Sequence, residues 1–151
     1  MNTPGDDCVI TATEAANAAG ITYRQLDHWA RQGWVTPSIQ PGSGRGGRRR
    51  YSVTDVLRLA ALRHFAKSGW QVSDLGERVS TVDLEYATWL VAGTESAVEA
   101  CIDDGRLHEA ITREGRFSVY HLEPLRTSLL NVQPPSGLAE VSPMRTQRKT
   151  A

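Results

Sequence analysis

Four arginines crowd the stretch PGSGRGGRRRY: Arg45, Arg48, Arg49 and Arg50. A guanidinium is permanently charged and presents its donors as a planar fork, which suits bidentate hydrogen bonds to phosphate oxygens. The interleaved glycines let the backbone follow a phosphate chain closely. A second polar set lies upstream in TYRQLDHWARQ, with Thr22 and Tyr23 leading into Arg24, Gln25 and His28. Arg matches the paired acceptors on a guanine edge and Gln the donor–acceptor pair on adenine. Tyr51 closes the arginine-rich stretch.

A third group, Asp103, Asp104, His108 and Glu109, has the donor types for a divalent ion. Its spacing matches no metal motif, and HExxH fails because position 112 is Thr; a solvated helix end is the better reading. Cys8 and Cys101 stand far apart with no CxxC or Cys/His spacing around them, so both are expected as reduced thiols. The expectation is a protein with no catalytic site, no metal and no cofactor.

Charge separates the chain into two halves although the net charge is zero. Residues 21–70 carry nine Lys/Arg against Asp27 and Asp55, whereas residues 71–132 carry five basic against eleven acidic side chains. Such a division points to a polyanion-binding part followed by a part with another task. No apolar run approaches the roughly 20 residues needed to span a bilayer, and the N-terminus lacks the basic start of a signal peptide. No membrane partner is expected, and the cytoplasm, at the nucleoid, is the expected location.

The elements that must position these groups are helices with readable ends. Thr11 and Glu14 fit a capping box, and Gly20 supplies a stop, giving a helix over 12–19. Thr22 and Gln25 repeat the box, with Leu26, Trp29 and Ala30 on one apolar side and Gly33 as the end. Two short helices so closely joined make a helix-turn-helix, whose second helix can lie in the major groove. Short apolar pieces at Trp34–Val35 and Tyr51–Val53 flank the glycine-rich loop and predict a wing, two brief strands with a long tip. Ser52 starts a third helix with Asp55 in its first turn, ending at Gly69, and Ser73-Asp74-Leu75 opens a short fourth. Trp29, Trp34 and Trp70 could stack on bases, but core packing fits them better.

TYRQLDHWARQGWVTPSI followed by RRYSVTDVLRLAALRHFAKSGWQVSDL resembles the MerR-type winged helix-turn-helix regulators, in particular an actinobacterial branch. Trp29, Gly33, Pro37, Arg49, Tyr51 and Asp55 carry the likeness. The resemblance implies a dimeric, sequence-specific binder of double-stranded DNA that regulates transcription, with RNA polymerase as a further partner. By position it implies Arg24, Gln25 and His28 at bases or nearby phosphates, with Arg49 and Tyr51 placing the wing on the backbone. Asp27 and His28 depart from the pattern, and Asp27 is expected to hold a neighbouring arginine. An excisionase-like architectural factor, using the same module to bend DNA, is the alternative.

In the acidic half, YATWLVAG and RFSVYHLEPL read as strands, and ESAVEACIDDGRLHEAI as an amphipathic helix with a break at Gly105. Two strands joined by so long a crossover predict a small βαβ unit that completes itself by pairing with a second copy. The fold class expected is a mostly α N-terminal winged helix-turn-helix domain plus a small α/β C-terminal domain. Its parts are a flexible N-terminus at 1–8, the DNA-binding domain at 9–79, a dimerisation or partner domain at 80–132 and a disordered basic tail at 133–151.

Overall fold

The computed structural model describes residues 8–40, 48–94 and 97–131. The expected flexible N-terminus, the loop tip with Arg45, the basic tail and residues 95–96 therefore lie wholly or almost wholly outside the described residues.

Three helix starts are set by reciprocal caps of the same kind. Helix α1 (Ala12–Ala19) begins with Thr11 Oγ1 accepting from Glu14 N–H, and Glu14 Oε1 accepting from Thr11 N–H. Helix α2 (Tyr23–Gln32) repeats this with Thr22 and Gln25, and α3 (Val53–Lys67) with Ser52 and Asp55. Each box satisfies two main-chain groups at the helix entrance that would otherwise lack partners. Gly33 ends α2 at φ +78°, in the left-handed region where a side chain is strained. Trp34 N–H then turns back to Trp29 O at 3.0 Å.

The strands around the basic loop differ from expectation. Trp34–Val35 is not a strand; the chain leaving Gly33 buries Val35 and Pro37 in the core instead. The strand in that region is β2 (Arg50–Tyr51), which pairs antiparallel with β1 (Ile10–Thr11), Ile10 opposite Tyr51. Gln40 makes an isolated antiparallel bridge to Arg50, with bonds of 3.1 and 2.8 Å, and closes the base of the loop. Val53 belongs to α3 and not to a strand.

Helix α4 (Val72–Thr81) is the fourth helix expected from Ser73. It docks on the end of α2 through Gly76, where an added Cβ would stand 2.4 Å from Trp34 Cγ, so a side chain here would push the two helices apart. Arg58 of α3 secures the far end of α4, donating to Val79 O at 3.0 Å and Val82 O at 2.8 Å.

The acidic half corrects the sequence reading more strongly. Strands β3 (Trp89–Gly93), β4 (Ala97–Cys101) and β5 (Phe117–His121) form a sheet in the order β4-β3-β5, antiparallel throughout, so there is no parallel βαβ unit. The segment expected to be one helix across 95–111 is β4 followed by α5 (Asp104–Thr112). A sixth helix, α6 (Glu123–Asn131), follows β5. Pro124 lies in its first turn, where a missing N–H costs nothing.

One cluster of buried residues spans the two halves: Leu26, Trp29, Leu59, Leu62 and Phe65 share it with Leu84, Leu90 and Leu122. Helix α3 packs on β5 and α6, and α4 on β4. Trp70 Nε1–H donates to Ser118 Oγ at 2.9 Å, and Arg116 rests over the Trp70 ring at 4.2 Å. The other face of the sheet is covered by α5 through Val91, Cys101 and Ala110.

Candidate nucleic-acid interface

The polar residues singled out on α2 lie on its exposed side. Thr22, Tyr23, Arg24, Gln25 and His28 are all exposed, while Leu26 and Trp29 turn inward. Gln25 is partly committed, because its Oε1 accepts from Thr22 N–H at 3.0 Å. Its amide NH2 remains for another acceptor. The rings of His28 and Trp34 meet edge to face, with centroids 5.6 Å apart. No ion pair engages Arg24 among the described residues.

Asp27 does what its sign suggested. Its carboxylate takes Arg49 Nη1 at 2.8 Å on one oxygen and Arg31 Nη2 at 2.9 Å on the other. Arg49 is thereby drawn down onto α2 and only 21% of its side chain stays exposed. It joins α2 to the arginine-rich segment and is not an open phosphate donor as the resemblance implied.

The base of the loop is anchored from below by Asp55. This carboxylate is 2% exposed and accepts from Ser38 N–H at 2.7 Å, Ser38 Oγ–H at 2.8 Å and Ser52 N–H at 2.9 Å. One side chain thus caps α3 and pins the strand-like run before Gln40. Sequence reading placed Asp55 only in the first turn of α3, since its partner at Ser38 lies 17 residues away.

Arg48, Arg49 and Arg50 meet the starts of two helices. With Thr11, Ala12 and Thr13 of the α1 entrance and Tyr23 of α2 they line a cleft of about 200 Å³. The free N–H groups of a helix start carry partial positive charge, so the cleft combines two sources of it. An oxyanion is the ligand chemistry it fits.

Tyr51 corrects the sequence reading. Its side chain is 0% exposed in the core, so its hydroxyl is not at the surface where a phosphate would lie, and it makes no hydrogen bond among the described residues. Burial, opposed by Arg49 and aided by Asp55, pushes its phenol up from 10.0 to about 12. The unfolded chain therefore loses this proton from about pH 10 while the folded chain holds it to about pH 12, so stability should fall as pH rises across that window. Tyr51→Phe should lessen the alkaline decline in thermal melting, the raised Cys8, Cys101 and Tyr120 groups accounting for the rest, and leave DNA affinity unchanged at neutral pH. A loss of DNA affinity in that variant would return the hydroxyl to the binding surface.

The remaining candidates have structural tasks. Asp103 caps α5 by accepting from Arg106 N–H at 2.9 Å, Asp104 accepts from Trp89 Nε1–H at 3.1 Å, and Glu109 pairs with Arg106 at 3.2 Å. Among the described residues no group of three or more His, Cys, Asp or Glu stands close enough to hold a metal ion. Cys8 and Cys101 are free thiols, and burial pushes both up, which disfavours the reactive thiolate. No helix among the described residues is long and apolar enough to cross a membrane. Trp29 is buried in the core, while Trp34 and Trp70 are half-buried against α4 and the sheet.

Residues 10–80 match the family described as MerR HTH family regulatory protein. Proteins named as uncharacterised HTH-type transcriptional regulators of Mycobacterium bovis and Mycobacterium tuberculosis are each 47% identical over 55 residues, 36% of this chain. The chain spans about a quarter of the length of these curated relatives, 24% of each.

Proposed function

We propose, from the match of residues 10–80 to the MerR HTH family, that the chain is a sequence-specific regulator that binds double-stranded DNA as a homodimer. The observation that carries this reading is the arrangement of α2. Its exposed side presents Arg24, Gln25 and His28, and its start opens on the same cleft as Arg48 and Arg50. A helix in the major groove needs phosphate donors beside its entrance to fix its register. Arg48 and Arg50 supply that charge, and Arg49 positions them through Asp27.

In this reading the Gln40–Arg50 bridge is the base of the wing of a winged helix-turn-helix. Residues 9–79 read DNA, and residues 80–132 bring two copies together. RNA polymerase is the proposed further partner, and the proposed site of action is the nucleoid in the cytoplasm. No catalytic role is proposed.

A genome-wide DNA pull-down tests the function: enrichment at promoters supports regulation, and enrichment at one attachment site would replace it with recombination. Replacing Arg48 and Arg50 with alanine should weaken cognate and random DNA alike. The log–log salt slope should flatten by roughly 0.9 for each phosphate no longer neutralised. An unchanged slope would remove the cleft from the interface.

A further inference from the structure

Strand β5 is an outer strand of its sheet. Its bonding alternates with position: Leu122 N–H donates to Thr88 O at 2.9 Å, and Arg116 O accepts from Thr94 N–H at 3.3 Å. Even-numbered residues thus turn their main-chain groups toward β3, and Phe117, Val119 and His121 turn theirs outward. No hydrogen bond beyond the β3 ladder reaches these outward groups among the described residues.

The side chains of the same three residues share the α5 side of the sheet, where Val119 packs beside Val91 and Cys101. Helix α5 lies chiefly across β3 and β4. Phe117 is left 42% exposed and His121 exposed, with the His121 ring stacked on Trp89 at 4.2 Å. Outer strands are ordinarily blunted by lysine, proline or a bulge, and FSVYH has none of these. The opposite edge is different. Strand β4 carries Glu99 at its centre, ion-paired with Arg113, has Ala97 at φ 65°, and lies against α4.

We propose that β5 pairs antiparallel with β5 of a second copy about a two-fold axis at Val119, joining the two sheets into one. This names the surface of the dimer in the function proposed above, and rests on that reading for the identity of its partner. The register sets Val119 opposite Val119 and Phe117 opposite His121 of the second copy. All three outward residues then fall on hydrogen-bonded positions, giving about six main-chain bonds. Phe117 of the second copy would extend the Trp89–His121 stack, an aromatic cross-strand contact. Arg116 stays over Trp70 and Glu123 stays paired with Arg126 in this arrangement, so the pairing rests on the main-chain register and the aromatic contact.

The test uses the full chain without DNA, with mass measured by light scattering over a dilution series and amide exchange followed at single residues. A dimer is expected, with the amides of Phe117, Val119 and His121 slow at high concentration and fast after dilution. Val119→Pro removes an outward N–H, which an edge tolerates, and alters the packing beside Val91 and Cys101, whereas Phe117→Lys changes an exposed side chain and leaves that packing in place. Each should raise the dimer dissociation constant at least tenfold with an unchanged far-ultraviolet spectrum. A dimer that survives both substitutions, or whose three amides exchange quickly at high concentration, would overturn the β5 pairing and leave the dimer itself standing. A monomeric wild type would overturn both, and a DNA titration reports on the reading head separately. Slow exchange that appears only when another protein is added would assign the edge to a foreign strand and also overturn the self-pairing.

Discussion

Asp55→Ala should lower the stability of the fold by roughly 2–4 kcal/mol, the sum of a lost helix cap and of a buried donor left without an acceptor. The carboxylate is almost fully enclosed and serves three donors on two segments, Ser38 and Ser52. Its removal leaves the buried Ser52 N–H without an acceptor and releases the Ser38 donors at the surface. A protein of this size has only about 5–15 kcal/mol in all, so the loss should be plain in urea unfolding. Asp55→Asn, which keeps one acceptor oxygen, should fall between the two. DNA affinity should drop as well, since Ser38 leads into Gln40 at the base of the arginine-rich loop. A stability change under about 1 kcal/mol would mean that the serines find other partners, and would end the anchoring role.

Arg24→Ala should erode the preference for cognate over scrambled DNA by about 1–3 kcal/mol while leaving nonspecific affinity nearly intact. Arg24 stands in the first turn of α2, exposed and unengaged by any described ion pair, at the end of the helix that faces base edges when such a helix lies in a major groove. Gln25 is a weaker candidate, because its carbonyl oxygen is bound into the cap of α2. Competition binding with both DNA types separates the outcomes. Equal loss on both would make Arg24 a phosphate contact and move sequence reading elsewhere on α2.

The legible parts of this fold were those written within four residues. Thr11 with Glu14, Thr22 with Gln25 and Ser52 with Asp55 form the caps that their spacing announces, so α1, α2 and α3 begin where the sequence says. What depended on distant partners was not legible. Ala97–Cys101 carries apolar residues at both helical and alternate spacing, and only its pairing with Trp89–Gly93 decides for a strand. Ile10 and Thr11 form a strand because Tyr51 and Arg50 lie beside them, 41 and 39 residues further on. Strand β5 ends before Pro124, which then sits in the first turn of α6, a helix that the sequence reading did not include.

The candidate site divides in the same way. Exposure of Arg24 and His28 followed from helical spacing, and the sign of Asp27 hinted at its arginine. That Asp27 serves Arg31 and Arg49 together, and that Tyr51 is enclosed, are tertiary facts spanning tens of residues.

The continuous core also bears on how far this reading head is portable. Apolar side chains of α3 and α4 are shielded by Leu84, Leu90 and Leu122, which lie beyond the segment that matches the family. A protein that borrows residues 10–80 inherits a sticky flank and has to shield it with some other piece of chain. Such a head is exchanged in evolution, or grafted in the laboratory, only together with a cover of suitable shape. A fusion that joins residues 10–80 to an unrelated module through a flexible linker would need that cover designed into it.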